Sequence, residues 1–107
     1  MKVLVLLNRK LEDARIEMAN LKLWLNQKEV VEYYKWKEEN PKDRTAMDKV
    51  VAQLKMVDEN WLEKEQEYID AKNEYDRLKN IFDMTINMMY SQRFEKEDIE
   101  NFVADLV

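Results

Sequence analysis

The chain predicts an all-α fold: a long antiparallel, coiled-coil-like helical hairpin followed by a short C-terminal helix, expected to be oligomeric. Three observations point there. Among its 107 residues there is no glycine and a single proline, so the backbone has few places to turn. The residues Met47, Val50, Leu54, Val57, Trp61, Lys64, Tyr68, Ala71, Tyr75, Leu78, Phe82, Thr85 and Met89 follow one another at alternating steps of three and four, and only Lys64 and Thr85 among them are not apolar. That is the seam of a coiled coil or long bundle helix. Charged residues make up 38% of the chain and mix both signs, as the solvated faces of long helices require. At about 1.5 Å per residue such a seam would run roughly 65 Å. It needs a second helix, from the same chain or from another copy.

The elements follow in order within one helical domain. The first helix is expected over 3–39, where Leu4, Leu7, Leu11, Ala14, Met18, Leu21 and Leu25 step by three and four. Lys28 and Glu32 occupy the next seam positions, so the apolar row is expected to slip to Trp24, Val31 and Tyr34. Asn40-Pro41 ends the helix, because proline disfavours α geometry in the residue before it. The turn 40–44 is short, which favours an antiparallel hairpin. A second helix is expected over 45–91, opened by a capping-box-like Thr45-Ala46-Met47-Asp48. A short helix over 95–106 carries Ile99, Phe102, Val103 and Leu106 on one face, with Glu95, Glu97 and Asp98 in its first turn. It is expected either to fold back on Leu4 and Leu7 or to dock on another subunit.

Composition excludes several functions. There is no cysteine and no histidine, which removes disulfides, thiolate metal sites, the commonest general base and the commonest metal ligand. Without glycine there is no phosphate-cradling loop and no glycine turn at positive φ. No enzyme, cofactor, metal or small-molecule substrate is expected. The apolar run Met1 to Leu7 is too short for a signal peptide, and no stretch approaches the ~20 apolar residues of a membrane span. The expected setting is the cytoplasm, that of the host if the chain is phage-encoded. The formal net charge is −5, concentrated in residues 95–107, which are net −4. A net acidic chain binds nucleic acid only through a local basic patch.

Four sets of residues stand out. Tyr34, Lys35, Trp36, Lys37, Lys42 and Arg44 gather at the hairpin tip, where rings can stack on unpaired bases and cations can meet phosphates. Helix-end packing with ordinary surface lysines is the commoner use of such residues. Asp58, Glu59, Glu63, Glu67, Asp70 and Glu74 form a carboxylate row that is either a solvated face or a contact for a protein partner. Val3, Val5, Leu6, Ile99, Phe102 and Leu106 offer surplus apolar surface, for the core or for an oligomer contact. Lys64 interrupts the seam. It is expected to meet a Glu of the facing helix or to run its stem along the core with the ammonium in water.

From Arg44 onward the chain resembles the UvsY-type recombination mediators of bacteriophages. The matching residues are Thr45, the run Tyr68-Ile69-Asp70-Ala71-Lys72-Asn73-Glu74-Tyr75-Asp76-Arg77-Leu78-Lys79, and the turn Ser91-Gln92-Arg93-Phe94 leading to Ile99 and Phe102. The resemblance implies a non-enzymatic oligomer that binds single-stranded DNA and helps load a recombinase. The acidic C-terminal segment departs from the more basic surface of that family. Two further readings stand beside it. One is an acidic phage inhibitor of a host nuclease or defence complex, anti-CRISPR-like in mimicking nucleic acid. The other is a structural coiled-coil adaptor.

Overall fold

The computed structural model describes residues 2–107. It is all-α, with helices α1 (Lys2–Glu39), α2 (Met47–Met56), α3 (Glu59–Ser91) and α4 (Lys96–Leu106). The chain divides into two compact units, and part of α1 packs against the returning helices in each. One is the part of α1 up to Met18 together with Ala71–Val107, and the other is Ala19–Asp70.

In the first unit Leu7 and Ala14 of α1 meet Leu78 and Ile81 of α3 and Val103 of α4. The steps of three and four put these residues on one face of each helix, and that face is the one buried. Leu7 has no exposed surface, a burial that stabilises by roughly 1.5–3 kcal/mol. The short helix therefore folds back on the hairpin base. The core accounts for part of the surplus apolar surface: Ile99 is buried, and Val3 and Phe102 are partly buried against the core. Val5, Leu6 and Leu106 remain exposed. Thr85, the second polar seam residue, is fully buried and donates its hydroxyl to the carbonyl of Ile81 at 2.7 Å, so this hydroxyl is not left without a partner.

Both ends of α4 are tied by charge. The Glu95 side chain and the Asp98 carboxylate form a reciprocal capping box at its N-terminus. Arg77 donates to the carbonyl of Leu106 at 2.7 Å, setting a cation at the negative end of the helix dipole. The Ser91 to Phe94 turn does what composition argued against. Gln92 takes a positive φ of 57°. Helices commonly end on such a left-handed residue, usually glycine. Here the geometry is carried by a residue with a Cβ.

In the second unit the turn after α1 is held by side chains. Asn40 donates both its backbone N–H and its Nδ2 to the Trp36 carbonyl at 2.9 Å, closing the helix end. Asp43 accepts the N–H of Thr45 at 2.8 Å and its hydroxyl at 2.6 Å. That occupies Thr45, so the expected capping box does not form. Ala46 is the N-cap of α2 and gives no side-chain bond.

The expected continuous helix over 45–91 is broken at Val57 and Asp58. Asp58 is the cause. Its Oδ1 accepts the N–H of Trp61 at 3.1 Å, and its own N–H donates to the Lys55 carbonyl at 3.1 Å. An aspartate in that position caps a new helix. Val57 is rotated out of the seam and is 83% exposed.

Of the slipped row expected in α1, Trp24 is half-buried but Val31 and Tyr34 are exposed, while Lys28 and Glu32 stay partly buried on the continuing seam. Trp61 thus lies beside Lys28 in the half of α1 where the apolar pattern fails. Replacing Gln92 with glycine relieves the left-handed strain without touching a core contact. We expect Gln92→Gly to raise unfolding stability by about 0.5–1 kcal/mol in urea titrations, net of glycine's greater unfolded-state entropy.

Candidate functional site

Three surfaces of the second unit carry side chains that can meet a partner. The first is the tip. Tyr34 is 62% exposed, and Lys35, Lys42 and Arg44 are exposed around it. Trp36 and Lys37 are committed elsewhere. Trp36 stacks on Tyr33 with ring centres 6.1 Å apart, and Lys37 donates to the Asp43 carbonyl across the turn. The expected set of six is therefore divided: Tyr34, Lys35, Lys42 and Arg44 face solvent, while Trp36 and Lys37 hold the end of α1. Lys35 lies 3.6 Å from Glu32, a loose exposed pair.

The second surface is the elbow between α2 and α3, built on a polar layer. Lys28 reaches Asp58 and Glu32, each at 3.2 Å. Lys55 reaches Glu65 at 3.1 Å. The two ammonium groups lie 5.8 and 5.6 Å from the Trp61 ring centre, within cation–π range. Trp61 is only 1% exposed, and its indole N–H has no hydrogen-bond partner. Leaving such a group unpaired costs about 1–3 kcal/mol, which the packing of the ring and the two cations must offset.

Charge states follow from these contacts. The Trp61 backbone N–H, then the Lys28 ammonium, hold the Asp58 carboxyl below its ordinary value. Burial pulls the Lys28 ammonium down, but its bonds to Asp58 and Glu32 outweigh that and leave it above its ordinary value. Asp58 is thus engaged inside the chain, as helix cap and ion-pair partner.

Lys55 is where three shallow clefts meet. One, of about 420 Å³, runs between Glu29 and Met47, Asp48, Val51 and Ala52. A second, of about 260 Å³, passes Leu25, Asn26, Trp61 and Tyr68. A third, of about 410 Å³, lies among Met56, Leu62, Gln66 and Ile69. Met56 is 76% exposed, and Leu62 and Ile69 are also exposed. Sequence reasoning missed this apolar elbow because it placed Val57 in the seam. The signal was present: Asp58 followed by Glu59 is an N-cap with an acidic first turn.

The third surface is the carboxylate row. Glu59, Glu63, Glu67 and Asp70 are exposed on α3. Glu67 pairs with Lys64 at 3.2 Å, and Asp70 accepts from Gln66 at 3.0 Å. Lys64 therefore finds its companion on its own helix, not on a facing one, with its stem partly buried. Glu74, in the first unit, is held by Arg77 at 2.6 Å, and that bond keeps its carboxyl below the ordinary value. Among the described residues no cluster of metal-ligating side chains occurs. No described helix is long and apolar enough to cross a membrane.

Fold and surfaces together define the class: an all-α helical hairpin whose open faces, not enclosed cavities, carry its unspent chemistry. Comparison with family models, with curated proteins and with solved structures finds no match to the chain.

The Lys28–Asp58 pair makes a pH prediction. A depressed carboxyl contributes stability above its unfolded pKa and loses it as pH falls through the folded one. A raised ammonium contributes below its unfolded pKa and loses it as pH rises through the folded one. Asparagine caps a helix about as well as aspartate but carries no charge. We expect Asp58→Asn to be less stable than the parent between the ordinary carboxylate and lysine ranges. The difference should vanish as acid titrates Asp58, and it should shrink again in strong alkali. Urea titrations across pH check this; a pH-independent difference would show that the pair contributes nothing.

Proposed function

We propose that the chain is a non-enzymatic helical interaction protein of a phage-type accessory module, acting as a recombination mediator. It meets a recombinase through the α2–α3 elbow and single-stranded DNA through the hairpin tip. The observation that carries this reading is the elbow. Met56 and Val57 stand 76% and 83% exposed at a helix break, with Leu62 and Ile69 beside the cleft that Met56 lines. Apolar side chains grouped in this way mark protein contacts more often than chance exposure does. Methionine also suits a surface that adapts to a partner.

The tip supplies the second contact. The Tyr34 ring offers a face for base stacking, and Lys42, Arg44 and the loosely paired Lys35 can meet phosphates. With three cations engaged, the logarithm of the binding constant should fall with the logarithm of salt at a slope of about −2.

Fluorescence anisotropy with a labelled single-stranded oligonucleotide tests the tip. Binding at low salt with a slope near that value, weakened by Tyr34→Ala and by Lys42→Ala with Arg44→Ala, supports the reading. No binding even at low ionic strength removes its DNA half. The elbow is tested by recombinase assembly on the same strand. Met56→Asp with Val57→Asp should abolish stimulation of assembly and leave DNA binding intact.

A second reading rests on a different observation. Glu59 and Glu63 are exposed, and neither forms an ion pair among the described residues. Carboxylates one turn apart can stand in for phosphates, so the chain would inhibit a host nuclease or defence complex. In that case addition of the chain should block cleavage by the nuclease, Glu59→Lys with Glu63→Lys should relieve the block, and the tip variants should not.

A further inference from the structure

The first unit holds a surface that neither reading uses. Val3, Leu6 and Lys10 of α1, Val103 and Ala104 of α4 and Val107 just beyond it line an apolar cleft of about 230 Å³. Leu6 is 57% exposed on its rim. The two banks of the cleft carry opposite charge. Residues 2–10 of α1 hold Lys2, Arg9 and Lys10 and no carboxylate, whereas residues 95–107 are net −4. On α4, Glu97, Glu100, Ala104 and Val107 recur at i, i+3, i+7 and i+10, so two carboxylates continue the side that lines the cleft.

Neither bank is neutralised within the chain. Lys2, Arg9 and Lys10 form no ion pair among the described residues, and Glu100 has only a loose 4.0 Å contact with the exposed Lys96. Lys10 acts on Glu74, but that carboxylate is already held by Arg77.

We propose that this cleft is the interface of a two-fold dimer, with the α1 bank of one copy laid on the α4 bank of the other. A two-fold axis through the cleft exchanges its banks, so the cations of each copy meet the carboxylates of its mate twice over. Leu6 of each copy then fills the cleft of the other. A face with both signs side by side about an apolar centre is self-complementary under this rotation, which is what an isologous contact requires. A foreign partner would have to reproduce the same pairing of signs across the same spacing. Of the predicted oligomer set, Leu6 and Val3 line the cleft and keep that role, while Ile99 and Phe102 lie in or against the core and Val5 and Leu106 stand outside the lining. The inference does not depend on DNA or recombinase binding.

Charge exchange tests it with the full chain. Sedimentation equilibrium over a range of concentrations should show a monomer–dimer equilibrium. Lys10→Glu and Glu100→Lys should each weaken the homodimer by roughly tenfold or more, because each change sets like charges opposite one another twice. An equimolar mixture of the two variants should dimerise again, since every cross-copy pair is then opposite in sign. Circular dichroism of each variant shows that the helices are kept, and Leu6→Glu should abolish the dimer in any background. A parent chain that stays monomeric at every concentration overturns the proposal. So does a dimer indifferent to both charge changes, or a mixture that fails to recover.

Discussion

The return arm of the hairpin depends on one carboxylate. Asp58 accepts the Trp61 N–H through one oxygen and meets Lys28 through the other. The first contact starts α3 and so ends α2. The second ties that start to α1. Were the seam continuous, Val57 would face inward and Lys28 would have only Glu32 of its own helix as a counter-charge. The break turns Val57 to solvent and supplies Lys28 with a further anion. A partly buried cation is costly unless well paired, so Asp58 adds a second carboxylate, from the facing arm, to the one that Glu32 already gives Lys28.

Trp61 is packed around this contact. Its ring lies between the Lys28 and Lys55 ammonium groups, each of which is also bound by a carboxylate. The ring therefore belongs both to the apolar seam and to a set of ion pairs. The other polar seam residues solve the same problem more locally. Thr85 returns its hydroxyl to the preceding turn, and Lys64 carries its charge to Glu67 on its own helix. Local solutions leave the helix free in register. The Lys28–Asp58 pair crosses between helices, so it alone among these fixes which residues of α1 and the return arm lie side by side.

Periodicity made the helices, the turn at Asn40-Pro41 and the inward face of the short helix legible, because buried apolar side chains must recur with the helical repeat. It failed where a polar residue kept a seam position by pairing. Lys28 and Glu32 read as a slip, since a sequence does not show that an aspartate some thirty residues later comes within 3.2 Å. Val57 read as core for the same reason: steps of three and four persist across a break that costs no residue. The tip set was legible as a cluster but not in its division, because Lys37 and Trp36 are used by the end of α1 itself. Gln92 was hidden by a rule that is only a preference, as positive φ favours glycine without demanding it.

The same reasoning bears on whether an acidic chain can hold a nucleic-acid strand. Net charge is a poor guide here, because at physiological salt exposed charges more than about 8 Å apart are largely screened from one another. What a strand at the tip meets is the local set. Residues 33–46 carry Lys35, Lys37, Lys42 and Arg44 against Glu38, Glu39 and Asp43, a slight positive excess. Asp43 is bonded to Thr45, whose hydroxyl and N–H hold its carboxyl below the ordinary value. Glu32, the next acid along α1, is bound to Lys28. Asp43 and Glu32 are thus engaged by the fold, while Glu38 and Glu39 stay exposed beside the exposed Lys42 and Arg44, so a strand laid along Tyr34 would depend on the stacking ring as much as on charge.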